Sequence, residues 1–126
     1  MSTGAYEIHG VSVYECASDQ HPLRTEGDAN DLISTAREHN ARFLIIRAEH
    51  LSSEFFHLKT GLAGAIIQKF ITYDVRVAII GDITEQAQSS SSLSDFVYEA
   101  NRGKHIWFLK SRAEFEKRLQ AERDSQ

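Results

Sequence analysis

Three short apolar runs constrain this chain more than anything else in it: "RFLIIR" (42–47), "VRVAIIG" (75–81) and "HIWFL" (105–109). None of them alternates apolar with polar positions, so each reads as a strand covered on both faces. The intervals between them suit a helix and exceed a hairpin turn. That spacing predicts right-handed crossovers and a mostly parallel sheet. "AYEIHGVSVYECA" (5–17) adds two β-rich segments around His9-Gly10, read as an antiparallel hairpin at one side of the sheet.

The intervals carry helical signals. Asp28 opens a helix to about Asn40 with Leu32, Ile33 and Ala36 facing inward. A second helix covers "FFHLKTGLAGAIIQKFITYD" (55–74), with Ser52 and Ser53 as capping residues. A third runs from Leu93 to Asn101, where Ser92 and Asp95 fit a capping box and Gly103 ends the helix. Ser111 and Glu114 fit another box, opening the charged helix "RAEFEKRLQAERD" (112–124). "SDQHPLRTEG" (18–27), with Pro22, and "QAQSSSS" (86–92) read as loops, the latter flexible. The expected fold is an α/β sandwich: hairpin, then alternating helices and strands. It forms one domain over residues 1–126, ordered from 6 to 119, with a frayed tail at 120–126.

Composition removes several function classes. With 14 Lys and Arg against 18 Asp and Glu, the net charge is −4, and no basic stripe suits nucleic acid or an anionic membrane. Cys16 is the single cysteine, so neither an internal disulfide nor a cysteine zinc cluster forms. "MSTGAYEIHG" lacks the pattern of a secretory leader, and no apolar stretch is long enough to span a bilayer. The expectation is a soluble, cytoplasmic protein.

The helix over 55–74 poses a question of its own. Gly61 and Gly64 lie near its middle, and each costs a helix interior about 1 kcal/mol relative to alanine. At 100° per residue, Phe55, Phe56, Leu58, Leu62, Ala63, Ile66, Ile67, Phe70 and Ile71 form a core face. Gly61, Gly64, Ala65, Gln68 and Thr72 form a smooth opposite face, with His57 at its edge. A smooth face admits the close approach of a helix of the same domain, a second subunit, a partner protein or a ligand. "KTGLAG" lacks the full spacing of a phosphate-binding loop.

The run "FFHLKTGLAGAIIQKFITYDVRVAIIGD", with "LSDFVYEANRG" and "IWFL", closely resembles a bacterial family, domain of unknown function 4180, from about Tyr6 to Leu119. The family name implies no particular activity. The order of elements also resembles the STAS domain of anti-sigma-factor antagonists. In that resemblance Lys59-Thr60-Gly61-Leu62 stands where STAS carries Asp-Ser-Ser-Gly-Leu, which implies that Thr60 occupies the place of the phosphorylatable serine. Leu58 and Lys59 replace the acid that precedes it.

Other constellations are weaker. Gly81 and Asp82 follow a central strand, where open α/β sheets place ligands, and the serine run lies behind them. A turn-capping role for Asp82 is the alternative. Tyr98, Glu99, Asn101 and Arg102 gather at a helix end, either to meet a partner or as an i, i+3 ion pair beside the helix dipole. Glu49, His50, Glu54 and His57 are possible metal donors, but their spacing matches no established site. No nucleophile, base and orienting group form a recognisable set.

The leading expectation is a non-enzymatic protein-interaction or regulatory module of STAS-like type, with no cofactor and no metal. Gly61, Gly64 and Gln68 would meet a protein partner or a second copy, together with the strand end at Asp82. The alternative is a metabolite- or nucleotide-binding protein, or an enzyme, using a crevice at Asp82, Thr60 and Glu99 with Asn101 and Arg102 nearby.

Overall fold

Strand register sets the architecture. The computed structural model describes residues 4–16, 23–51, 53–57, 59 and 61–125. Strands β1 (Gly4–Ile8), β2 (Val11–Glu15), β3 (Phe43–Arg47), β4 (Arg76–Ile80) and β5 (Ile106–Leu109) form one sheet in the order 1-2-3-4-5. β1 and β2 are antiparallel, joined by His9 and Gly10 alone, both at positive φ as a tight two-residue turn needs. Every later pair is parallel, with Tyr14 opposite Leu44, Ile45 opposite Ala78 and Ala78 opposite Trp107.

A parallel sheet laid down in sequence sends every right-handed crossover over the same face. On that face α1 (Glu26–Glu38) buries Ala29, Leu32, Ile33 and Ala36, and α3 (Leu62–Thr72) buries Ala63, Ile66 and Phe70. These pack with Leu44, Ile46, Val77 and Ile79, while Phe96 and Val97 of α5 (Ser91–Arg102) cover the β5 side. The other face is closed by α6 (Arg112–Asp124), whose Phe115 and Leu119 meet Val13, Phe43, Ile45, Ala78 and Trp107. Both faces are therefore dry over the central strands, which is why β3, β4 and β5 are apolar runs.

Polar contacts hold α6 across the sheet. The Arg76 guanidinium lies 4.4 Å from the Phe43 ring centre and 4.8 Å from that of Trp107, and donates to both Glu122 carboxylate oxygens at 2.8 Å. Arg118 stacks 4.1 Å over Trp107 and donates to the Asn101 carbonyl. At the other end Arg112 reaches the buried Glu15 carboxylate at 2.7 Å, and the same oxygen accepts the Tyr6 hydroxyl at 3.0 Å. Among the described residues no helix is long and apolar enough to cross a membrane.

Several expected boundaries shift for local reasons. Thr25, not Asp28, caps α1. Asp28 is the third helical residue, exchanging hydrogen bonds with Thr25 in a capping box. The serine run is not a loop: α4 (Thr84–Gln88) precedes it, and Ser90 caps α5 by accepting the Leu93 N–H at 3.1 Å. Any serine of that run has the chemistry to cap, and the burial of Leu93 selects Ser90. Ser111 caps α6 as expected, but Glu114 takes the N–H of Lys110. α6 spans Arg112 to Asp124, the bounds expected for this helix. Pro22 lies outside the described residues.

The largest correction falls on residues 55–74, which do not form one helix. A short α2 (Ser53–Phe56) is separated from α3, and Gly61 stands before α3 at φ 77°, a left-handed conformation that other residues adopt at a cost of roughly 1–2 kcal/mol. Gly64 is inside α3, exposed, and a Cβ built on it would meet nothing within 4 Å. Ile71, expected in the core, is 38% exposed and borders Gly64 on the outer side of the helix.

Two predictions follow from this packing. In urea denaturation Gly61→Ala should lose about 1 kcal/mol, whereas Gly64→Ala should gain about 0.5–1 kcal/mol; equal signs would contradict the assigned break. The hydrogen bonds from Arg76 hold the Glu122 carboxyl below its ordinary value of 4.5, against the opposing effect of burial. A depressed folded value means that the stabilisation is complete above the unfolded value and is lost as pH falls through the folded one. Urea midpoints should thus drop with pH below about 4.5, and less steeply in Arg76→Leu; parallel curves would remove the pair from the account.

Candidate functional site

The C-terminal ends of β3 and β4 are drawn together by a glycine. Gly81 follows β4 at φ 149°, and a Cβ on it would stand 2.8 Å from the Ala48 Cβ, where no side chain fits. From this junction the chain parts in two directions. After β3 a 3-10 turn (Ala48–His50) and Leu51 lead into α2, while after β4 the chain turns through Asp82 into α4 and α5.

Between these two segments lies a cleft of about 690 Å³, inside the range of roughly 300–1,000 Å³ usual for small-ligand sites. Buried Ala48, Leu51 and Leu93, with half-buried Phe56, form its apolar floor. One wall carries Glu49, His57 and Lys59, all exposed. The facing wall, from α4 and the start of α5, carries Gln86, Ser89, Ser90 and Ser92. Ser89 Oγ donates to the Gln86 carbonyl at 2.9 Å and closes the end of α4, so the capping chemistry of α5 and the tight α4–α5 turn together build this wall.

A second hollow of about 350 Å³ lies under α4, bordered by Gly81, Thr84, Val97, Asn101, Phe108 and Lys110. It is the nearest thing to the crevice expected at Asp82. The strand order never reverses, so helices do not diverge to opposite faces beside β4 and no switch-point crevice opens there. The segments that follow β3 and β4, short helices included, make the cavities instead.

The expected site residues are dispersed. Asp82 is exposed and its Oδ1 accepts the Thr84 N–H at 2.9 Å and the Thr84 hydroxyl, which hold its carboxyl below the usual range. It caps the turn and is not among the described residues lining either cavity. Glu99 and Arg102 form an exposed ion pair of 3.5 Å, with Arg102 over the Tyr98 ring. Asn101 turns inward, where its amide accepts the Phe108 N–H at 2.7 Å and donates to the Phe108 carbonyl at 3.2 Å, sealing the outer edge of β5. Gly64 and Gln68 are exposed on α3, with Gln68 bonded to Thr72 at 3.3 Å, and Gly61 precedes them. Thr60 lies outside the described residues.

The cleft's own residues were partly visible in the sequence. Glu49 and His57 stood in the group considered for metal, and the serines in the run following Asp82. Among the described residues no three of His, Cys, Asp and Glu converge on a metal-sized space. The apolar floor carries no signal in the sequence, because Leu51, Phe56 and Leu93 read as ordinary core positions. Burial pushes the Cys16 thiol up to about 12, away from the thiolate that a nucleophile needs.

The model of the family described as Domain of unknown function (DUF4180) matches residues 8–119, from the end of β1 through all three crossovers and most of α6. No curated protein and no solved structure gives a match. On that span, this α/β chain belongs to the DUF4180 family.

Proposed function

We propose that this protein is a small-molecule-binding module whose ligand occupies the cleft between the β3–α2 segment and the α4–α5 turn. The single observation that carries the reading is the cleft itself, with a ligand-sized volume, an apolar floor and polar groups from two separate segments converging on it. Its position beyond the strand ends supports the reading further, since the loops there are held by the sheet on one side and free to vary on the other. The test is a thermal-shift screen of metabolites and nucleotides on the native chain and on Ser92→Trp. Ser92 is exposed on the first turn of α5, so the indole fills the cleft while the core stays intact. A compound that raises the melting temperature of the native chain by several degrees should leave Ser92→Trp unmoved. Equal shifts in both proteins would place binding elsewhere.

A second reading is favoured by Gly64. Its cost to α3 is met by no packing among the described residues, and the stripe of Gly64, Gln68 and Ile71 is exposed. A protein partner or second copy lying on this stripe would make the module an interaction or regulatory one, the sense implied by the STAS resemblance around Thr60. Affinity capture with the native chain and with Gly64→Arg separates the possibilities. A protein held by the first and absent with the second supports this reading; identical captures count against it.

A further inference from the structure

Taking the cleft to be the ligand site, we infer that the group it recognises is an anion, a carboxylate or phosphate, borne on an apolar body. The reason lies in the balance of donors and acceptors around the rim. Lys59 brings a full positive charge with three donors, and neither Lys59 nor Glu49 enters an ion pair among the described residues. Across the cleft the described lining residues carry no charge. Ser90 Oγ spends a lone pair on the Leu93 N–H, which leaves its own proton to donate. Ser92 offers a second hydroxyl and Gln86 an amide.

The backbone adds to this donor excess without being needed for it. Ser94 N–H goes to the Ser90 carbonyl and Leu93 N–H to its side chain, while the N–H groups of Ser91 and Ser92 belong to the open first turn of α5. A cationic ligand would find one carboxylate, Glu49, and would have to face Lys59 and the positive end of α5. A neutral ligand would make no use of the Lys59 charge. An anion placed between Lys59 and the serine wall satisfies both sides, and Glu49 on the Lys59 side sets a limit on how much negative charge enters. The floor of Leu51, Phe56 and Leu93 then takes an aromatic or branched aliphatic body.

The experiment uses the full chain and matched probes at millimolar concentration: phenylacetate, phenyl phosphate, inorganic phosphate and the neutral phenylacetamide. Binding is read by calorimetry and by melting temperature, at low and at high salt. Either or both organic anions should bind, and which one does tells carboxylate from phosphate. Phenylacetamide should bind at least about tenfold more weakly, and salt should weaken the anions only. Lys59→Met should cost the anion about tenfold or more, Lys59→Arg should retain it, and Ser92→Trp should abolish it. Amide and acid binding alike, or indifference to Lys59→Met, would overturn the anion assignment while leaving the cleft as a site. Silence from every probe, with neutral hits from the broad screen that Ser92→Trp abolishes, would overturn it in the same way. Silence from both the probes and the screen would remove the cleft reading as well.

Discussion

Closing the second face of the sheet is the constraint on which the remaining structure depends. Four parallel strands connected in sequence put α1, α3 and α5 on one side, and among the described residues only the C-terminal helix is left for the other. α6 meets that demand with two large apolar side chains, Phe115 and Leu119, each contributing about 1.5–3 kcal/mol on burial. Two side chains are a narrow contact for a helix of 13 residues. Arg76 widens it: its guanidinium stacks on Phe43 and Trp107 while gripping Glu122, so a charged group covers ring faces that apolar side chains leave open. Arg112 on buried Glu15 ties the start of the same helix to the hairpin.

The same topology decides where ligands find room. With all crossovers on one face, the helices pack side by side and no crevice opens between strands of opposite handed-off helices. Space appears instead where connections are long enough to stand off the sheet, after β3 and after β4. Gly81 lets the two strand ends close on one another at Ala48, and the connections diverge from that point to wall the cleft. The edge beyond β5 is not open in the same way, because the Asn101 amide occupies the hydrogen-bonding groups of Phe108. Asn101 thus belongs to the frame, although its place at a helix end beside charged residues gave it the look of a recognition residue.

The two glycines of the apolar segment show how one sequence pattern conceals two physical situations. Gly61 takes a backbone conformation at which a side chain is strained, and the chain breaks there between α2 and α3. Gly64 sits in regular helix with space around it. Helical periodicity places both on one stripe because it counts residues and cannot register a change of backbone between them. Ile71, expected with the core, stands seven residues from Gly64 and so shares its stripe at 100° per residue; its exposure follows the periodicity, and the expectation is misplaced.

The sequence by itself determined the strands, the order of elements, the parallel sheet with its antiparallel hairpin, and the family. These rest on local properties: apolar runs of strand length, spacing too long for hairpins, and residues that cap or turn. Only the tertiary structure decided which serine caps α5, that Asp82 bonds back to Thr84, that Asn101 faces inward, and that Glu49, Lys59 and the serine wall surround one space. Those outcomes depend on which segments the sheet brings face to face, and that arrangement is a property of contacts between residues more than thirty positions apart, as between Ala48 and Gly81.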